Sequence, residues 1–130
     1  MTKRTRSRRG LSLIEIIVVI TIISMLTTAV AVYAIGQHRQ SQRRTAWLDT
    51  KTASTAFDLY RASVGHYPDQ REGWEPLIKQ RALKEAPVDP WGTVLHWELR
   101  DGDPVVISLG ADAAPGGEGD DADILSTQRP

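Results

Sequence analysis

Four aspartates crowd the end of this 130-residue chain: Asp112, Asp120, Asp121 and Asp123, interleaved with Gly116, Gly117 and Gly119. Carboxylates this dense repel one another unless something neutralises them. Calcium gathers carboxylate, carbonyl and water oxygens at about 2.3–2.6 Å, and glycines permit the tight turns that aim carbonyls inward. Magnesium keeps more of its own water and suits such a loop less. The spacing is not that of an EF-hand, whose acids alternate along one short loop. On composition alone, a calcium site and a solvated acidic loop stand level.

A further carboxylate stands in an apolar setting. Glu15 is the one charge between Leu11 and Ile35. An acid in a lipid-embedded helix costs roughly 2.5–3.5 kcal/mol at the helix centre, and less near the surface. It either reaches the membrane surface or takes a partner, and a helix N-terminus or a free amine suits a carboxylate. Other chemistry is poorly represented. The chain has no cysteine, which excludes disulfides, thiolate zinc sites and a cysteine nucleophile. His38, His66 and His96 are scattered and suggest no Ser/His/Asp arrangement. Gly116-Gly117-Glu118-Gly119 lacks the Lys-Ser/Thr of a phosphate-binding loop. Paired carboxylates could serve a glycosidase, but a head this small offers little room for a cleft. The reading is of a non-enzyme.

The elements that position these residues follow from the charge pattern. The 16 basic and 16 acidic residues are segregated. Lys3, Arg4, Arg6, Arg8 and Arg9 lie in the first ten residues, whereas Asp101 to Asp123 holds seven acids and no base. Ile16 to Ile35 gives 20 residues without a charge, and about 20 apolar residues span a bilayer as a helix. The basic tip keeps the N-terminus cytoplasmic and sends the remainder across. Three readings compete here: a secretory signal cut after Ala29-Val30-Ala31, an uncleaved anchor, and one that explains Glu15.

Beyond Ile35, apolar residues return at Ala53, Phe57, Tyr60 and Val64, one face of a helix. Gly65 and Tyr67-Pro68 end it, so one helix is expected from Leu11 to about Val64, the alternative being two helices broken near Gly36. Arg39, Arg43 and Arg44 read as an anchor near lipid head groups or neighbouring subunits, rather than as a nucleic-acid site. Trp74, Leu77 and Ile78, with Pro76 in a first helical turn, should pack on the long helix. Thr93–Leu99 alternates as a strand, Asp101-Gly102 is a hairpin turn, and Val105–Leu109 returns. Trp47, Trp91 and Trp97 read as core or interface residues. The fold class is α+β, a long helix packed on a small antiparallel sheet.

Gly10-Leu11-Ser12-Leu13-Ile14-Glu15-Ile16, after a basic leader and before an apolar run, resembles the N-terminus of type IV pilins and pseudopilins. The resemblance implies a leader over residues 1–10 that prepilin peptidase removes between Gly10 and Leu11. It implies N-methylation of Leu11, which stands where Phe is commoner. It implies that Glu15 neutralises the free amine of a neighbouring subunit during assembly. Residues 11–35 would be the transmembrane and assembly helix, and 36–130 a periplasmic head. "FDLYRASVGHYP" from Phe57, Asp89-Pro90-Trp91-Gly92, and Ser108-Leu109-Gly110-Ala111-Asp112 with Gly116-Gly117-Glu118-Gly119-Asp120-Asp121-Ala122-Asp123-Ile124 resemble the major pseudopilins of type II secretion.

That family implies the type IV pilin-like fold with a calcium-binding C-terminal loop. Its ligands would be the side chains of Asp112, Asp121 and Asp123 with the carbonyl of Leu109 and one near Ala114, Asp120 lying outside the shell. It also implies a homo-oligomeric helical filament anchored in the bacterial inner membrane by a single pass. The implied partners are prepilin peptidase, minor pseudopilins and an inner-membrane platform with its ATPase, and no nucleic acid. The nearest alternatives are a type IV pilin or minor pseudopilin, and, from another class, a secreted or anchored calcium-binding module.

Overall fold

The structure is a computed structural model that describes residues 11–129, and the chain divides into two compact units at residues 37 and 38. The basic leader and Gly10 lie outside the described residues. Helix α1 runs Leu13–Val64, 52 residues, two residues shorter at its start than the sequence suggests. There the Ser12 carbonyl accepts the Ile16 amide at 3.2 Å. Gly36 is helical, with helical neighbours on both sides, so the two-helix alternative does not form. With no proline before Pro68, nothing removes a backbone donor from the ladder.

In the first unit the apolar side chains of α1 face outward, Leu13 at 79% exposure and Ile20 at 54%. Among the described residues this is the one helix long and apolar enough to cross a membrane. Its few hydroxyls do not break that character. Thr21, Ser24 and Thr27 donate to the carbonyls of Ile17, Ile20 and Ile23 at 2.7, 2.7 and 2.8 Å. A hydroxyl bonded to its own helix needs nothing from its surroundings.

The second unit is built on the rest of α1. Ala53, Ala56, Phe57 and Tyr60 bury one face of it, as the apolar spacing predicts, and Val64 packs at the edge. A 3₁₀ turn, Gln70–Glu72, is capped by Asp69, whose carboxylate accepts from the Arg71 amide at 3.0 Å. Helix α2, Glu75–Lys79, follows with Pro76 in its first turn. Trp74 and Leu77 enter the core, and Ile78 covers its margin. Phe57 lies 4.7 Å from Trp97 and 5.6 Å from Trp74, ring centre to ring centre. The Trp74 indole N–H donates to the Leu95 carbonyl at 2.8 Å, which satisfies the one polar atom that ring brings inside.

Strand β1, His96–Arg100, pairs antiparallel with β2, Asp103–Ser108, with Glu98 opposite Val105. Asp101 and Gly102 turn between them with φ of 53° and 89°, the two left-handed residues that the right-handed strand twist requires of a tight hairpin. The first strand starts later than Thr93, because the residues before it have another partner. Val94 bridges Val88, and the Leu95 amide donates to the Pro87 carbonyl at 2.9 Å. The second strand ends at Ser108, and Leu109 leaves the sheet. A third strand that the sequence reading missed, β3 at Ile124–Leu125, pairs with the far side of β2, placing Ser108 opposite Ile124. The order is β1-β2-β3. The acidic loop is therefore the connection between two adjacent strands.

Candidate functional site

The loop starts where Ser108 leaves β2 and ends where Ile124 enters β3. Its entrance is fixed by Asp89, a buried carboxylate with 5% exposure. Asp89 Oδ1 accepts from the amides of Trp91 and Thr93 at 3.1 and 2.9 Å, and Oδ2 accepts from the Ser108 hydroxyl at 2.8 Å. The Gly92 amide donates to the Asp89 carbonyl at 3.0 Å. The Asp-Pro-Trp-Gly turn is thus closed by its own aspartate and tied by that carboxylate to the last residue of β2, where the loop departs. Burial, and after it the charge of Asp89, push the Asp49 carboxyl on α1 above the usual carboxylate range.

Inside the loop the backbone is drawn tight. The Ala111 amide donates to the Asp120 carbonyl at 3.1 Å, and the Asp123 amide to the Gly116 carbonyl at 3.1 Å. The Asp121 carbonyl is enclosed by two glycines. A Cβ on Gly110 would lie 2.7 Å from it, and one on Gly117 2.5 Å. Both glycines also have left-handed backbone, φ 72° and 80°, so no other residue fits either position without moving the chain.

The expected ligands take distinct positions. Asp112 is exposed, and its Oδ1 accepts from the Ala114 amide at 3.1 Å. Asp121 is exposed, and Leu109 half-buried. Asp123 is half-buried, and its Oδ2 accepts from the Gly116 amide at 3.1 Å. Its Oδ1 is buried with no hydrogen-bond partner among the described residues. The three carboxylates share one loop but are not drawn together: among the described residues no three His, Cys, Asp or Glu side chains form a metal-holding group. The donors are all hard oxygens, and the orphaned Asp123 Oδ1 is the kind of atom that a cation satisfies.

Of Arg39, Arg43 and Arg44 on α1, two reach this loop, a connection the sequence reading missed. Arg39 pairs with Asp120 at 3.2 Å. Arg43 donates through Nη1 to the Gly119 carbonyl and to the Ala122 carbonyl, the latter at 3.4 Å. Asp120 is therefore an ion-pair partner of the helix. No local signal could have shown this, since Arg43 and Gly119 are 76 positions apart. In the first unit, Leu11 is 71% exposed, and Glu15 is exposed in the first turn of α1.

Comparison with known proteins agrees with this architecture. The profile described as type II secretion system (T2SS), protein G, matches residues 33–127. That of the prokaryotic N-terminal methylation motif matches residues 5–31. A type II secretion system core protein G from Pseudomonas aeruginosa is 33% identical, covering 92% of this chain and 94% of its own length. The proteins of the same name from Vibrio cholerae and Escherichia coli K12 are each 31% identical. They cover 94% and 91% of this chain, and 93% and 92% of their own.

Proposed function

This chain belongs to the type II secretion system protein G family, and from that premise we propose how its parts serve the family's role. It is a structural subunit of the type II secretion pseudopilus, anchored in the inner membrane by its apolar helix and assembled with other components of the secretion system. The observation that carries this reading is the pairing of two profile matches across one chain. The methylation motif covers the start of the apolar helix, and the protein G family covers the head with its loop.

In the proposed pathway prepilin peptidase cuts between Gly10 and Leu11 and Leu11 is N-methylated. The subunit then waits in the membrane with its head in the periplasm. An assembly platform with its ATPase adds it to a helical filament of its own copies, with minor pseudopilins as partners, and the filament drives folded proteins outward. Glu15 takes the free amine of a neighbour, where low dielectric makes an opposite charge at about 4 Å worth far more than in water. The energy comes from the ATPase, so the chain itself needs no catalytic group. Calcium is proposed for the loop, held by Asp123 with Asp112, Asp121 and the Leu109 carbonyl. Its support is the orphaned Asp123 Oδ1, the all-oxygen donor set and the tight glycine turns. The ion would supply charge neutralisation to a loop with little apolar content of its own.

The test is the mature N-terminus, read by mass spectrometry after membrane expression with and without a prepilin peptidase. N-methylated Leu11, appearing only with the peptidase, is the expected result. A chain beginning at Val32 would mark an ordinary exported domain, and a chain uncut in both cases a plain membrane anchor. Either would end the assembly roles given to Leu11 and Glu15.

A further inference from the structure

The second unit carries a cavity of about 340 Å³ lined by Gln40, Arg43, Arg44, Trp47, Leu48 and Arg129. That size is at the lower end of clefts that hold small ligands, about 300 Å³ upward. Among the described residues no carboxylate lines it. None of its three arginines forms an ion pair among the described residues. Arg43 commits Nη1 to the loop carbonyls and keeps Nε and Nη2 for another acceptor. Three guanidinium groups around one space repel each other unless an anion sits between them. Their planar forks fit the several oxygens of a tetrahedral oxyanion better than they fit a lone acceptor. Trp47 lines the same cavity, and its indole N–H is buried without an acceptor among the described residues.

The chain also limits where this cavity can be. Gln40 follows Ile35, the last residue of the apolar run, by five positions. Five residues span at most ~18 Å even when fully extended. Whatever the disposition of the two units, the cavity stays close to the surface of any bilayer that holds the run. Phospholipid head groups, each with its phosphate, lie at that surface.

We propose that this cavity binds a phosphate group, with the phosphodiester of an anionic phospholipid head group as the source within reach. The inference rests on the membrane-anchored reading above. It gives Arg44 and Arg129 a ligand. It also makes Arg43 a shared residue, with one edge on the acidic loop and the other on the bound phosphate.

The experiment uses the full chain in maltoside micelles and follows the indole N–H resonances by NMR. Phosphatidylglycerol is added to one sample and inorganic phosphate to another. With phosphatidylglycerol, a saturable shift of the Trp47 resonance is expected, while those of Trp74, Trp91 and Trp97 stay in place. The Arg44→Gln/Arg129→Gln double variant should weaken the response about tenfold or more, as loss of two charge-assisted contacts requires. The three unmoved indoles report that the variant is folded. Arg39→Gln, which lies outside the cavity, should leave the response unchanged. If inorganic phosphate moves Trp47 equally well, the site stands and its source is in solution. If neither moves Trp47, or if Arg39→Gln weakens the response as much as the double variant, the proposal falls. Recovery of the chain in the soluble fraction without detergent would instead sink the membrane reading. The inorganic phosphate sample would then still decide the cavity.

Discussion

Asp123 joins two kinds of bonding in one side chain: Oδ2 closes the loop onto Gly116, and Oδ1 is buried without a partner. A cation bound only by the folded loop stabilises it by about 2.7 kcal/mol at a hundred times its Kd. Calcium should therefore raise the melting temperature of the full chain in detergent. Asp123→Ala and Asp121→Ala should abolish that rise, and a rise equal to wild type in both variants would remove calcium from the loop. Asp49 gives a pH signature instead. Its folded pKa lies above its ordinary value of 3.8, so ionisation opposes folding. The cost is absent below that value, grows as pH rises through it, and is complete once the folded carboxyl has ionised. Asp49→Asn should melt higher than wild type near neutral pH, with the advantage fading as pH falls through the folded pKa and gone below 3.8. An advantage constant across that range would exclude ionisation as its cause. The loop carboxylates were legible in the sequence because four of them stand so close together. The bonds of Asp89 were not, since Ser108 lies 19 positions away and only the folded sheet brings it near.

Helix α1 and the acidic loop are joined chiefly by Arg39 and Arg43. The two contacts differ in kind. An exposed ion pair contributes little, roughly 0–1 kcal/mol, whereas a guanidinium on carbonyls supplies donors to backbone groups that otherwise face water. Arg43→Gln should speed amide hydrogen exchange over residues 116–123 while leaving β1 and β2 protected. Arg39→Gln should change exchange there far less. Equal effects would place the fastening in net charge rather than in hydrogen bonds. Periodicity made the long elements legible: Ala53, Phe57 and Tyr60 mark the buried face of α1, and Asp101-Gly102 marks the hairpin. Strand β3 escaped because two residues, Ile124 and Leu125, carry no period. The start of β1 slipped because Val94 alternates correctly but bridges Val88 instead of β2.

On the scale of the whole molecule, the first unit is an apolar helix with one acid, and the second a head with its own aromatic core. Glu15→Gln keeps the length and removes the charge. The variant should insert and lose its leader as wild type does, while the yield of sedimentable filament falls. Undiminished filament would show that the carboxylate has no part in assembly. This division of the chain was legible because segregated charge and a long uncharged run survive any detail of folding. The tie between the head's arginines and its loop was not, because it depends on how the head closes on itself. The hydroxyls of Thr21, Ser24 and Thr27, each turned back on its own helix, have one more consequence. They leave the surface of that segment indifferent to whether hydrocarbon or another such helix surrounds it, since lipid tails are as apolar as leucine. Moving a subunit between bilayer and polymer then exchanges one oil for another. Assembly on such a surface is close to reversible, and its direction is set by the few polar groups at the ends and by whatever work is applied from outside.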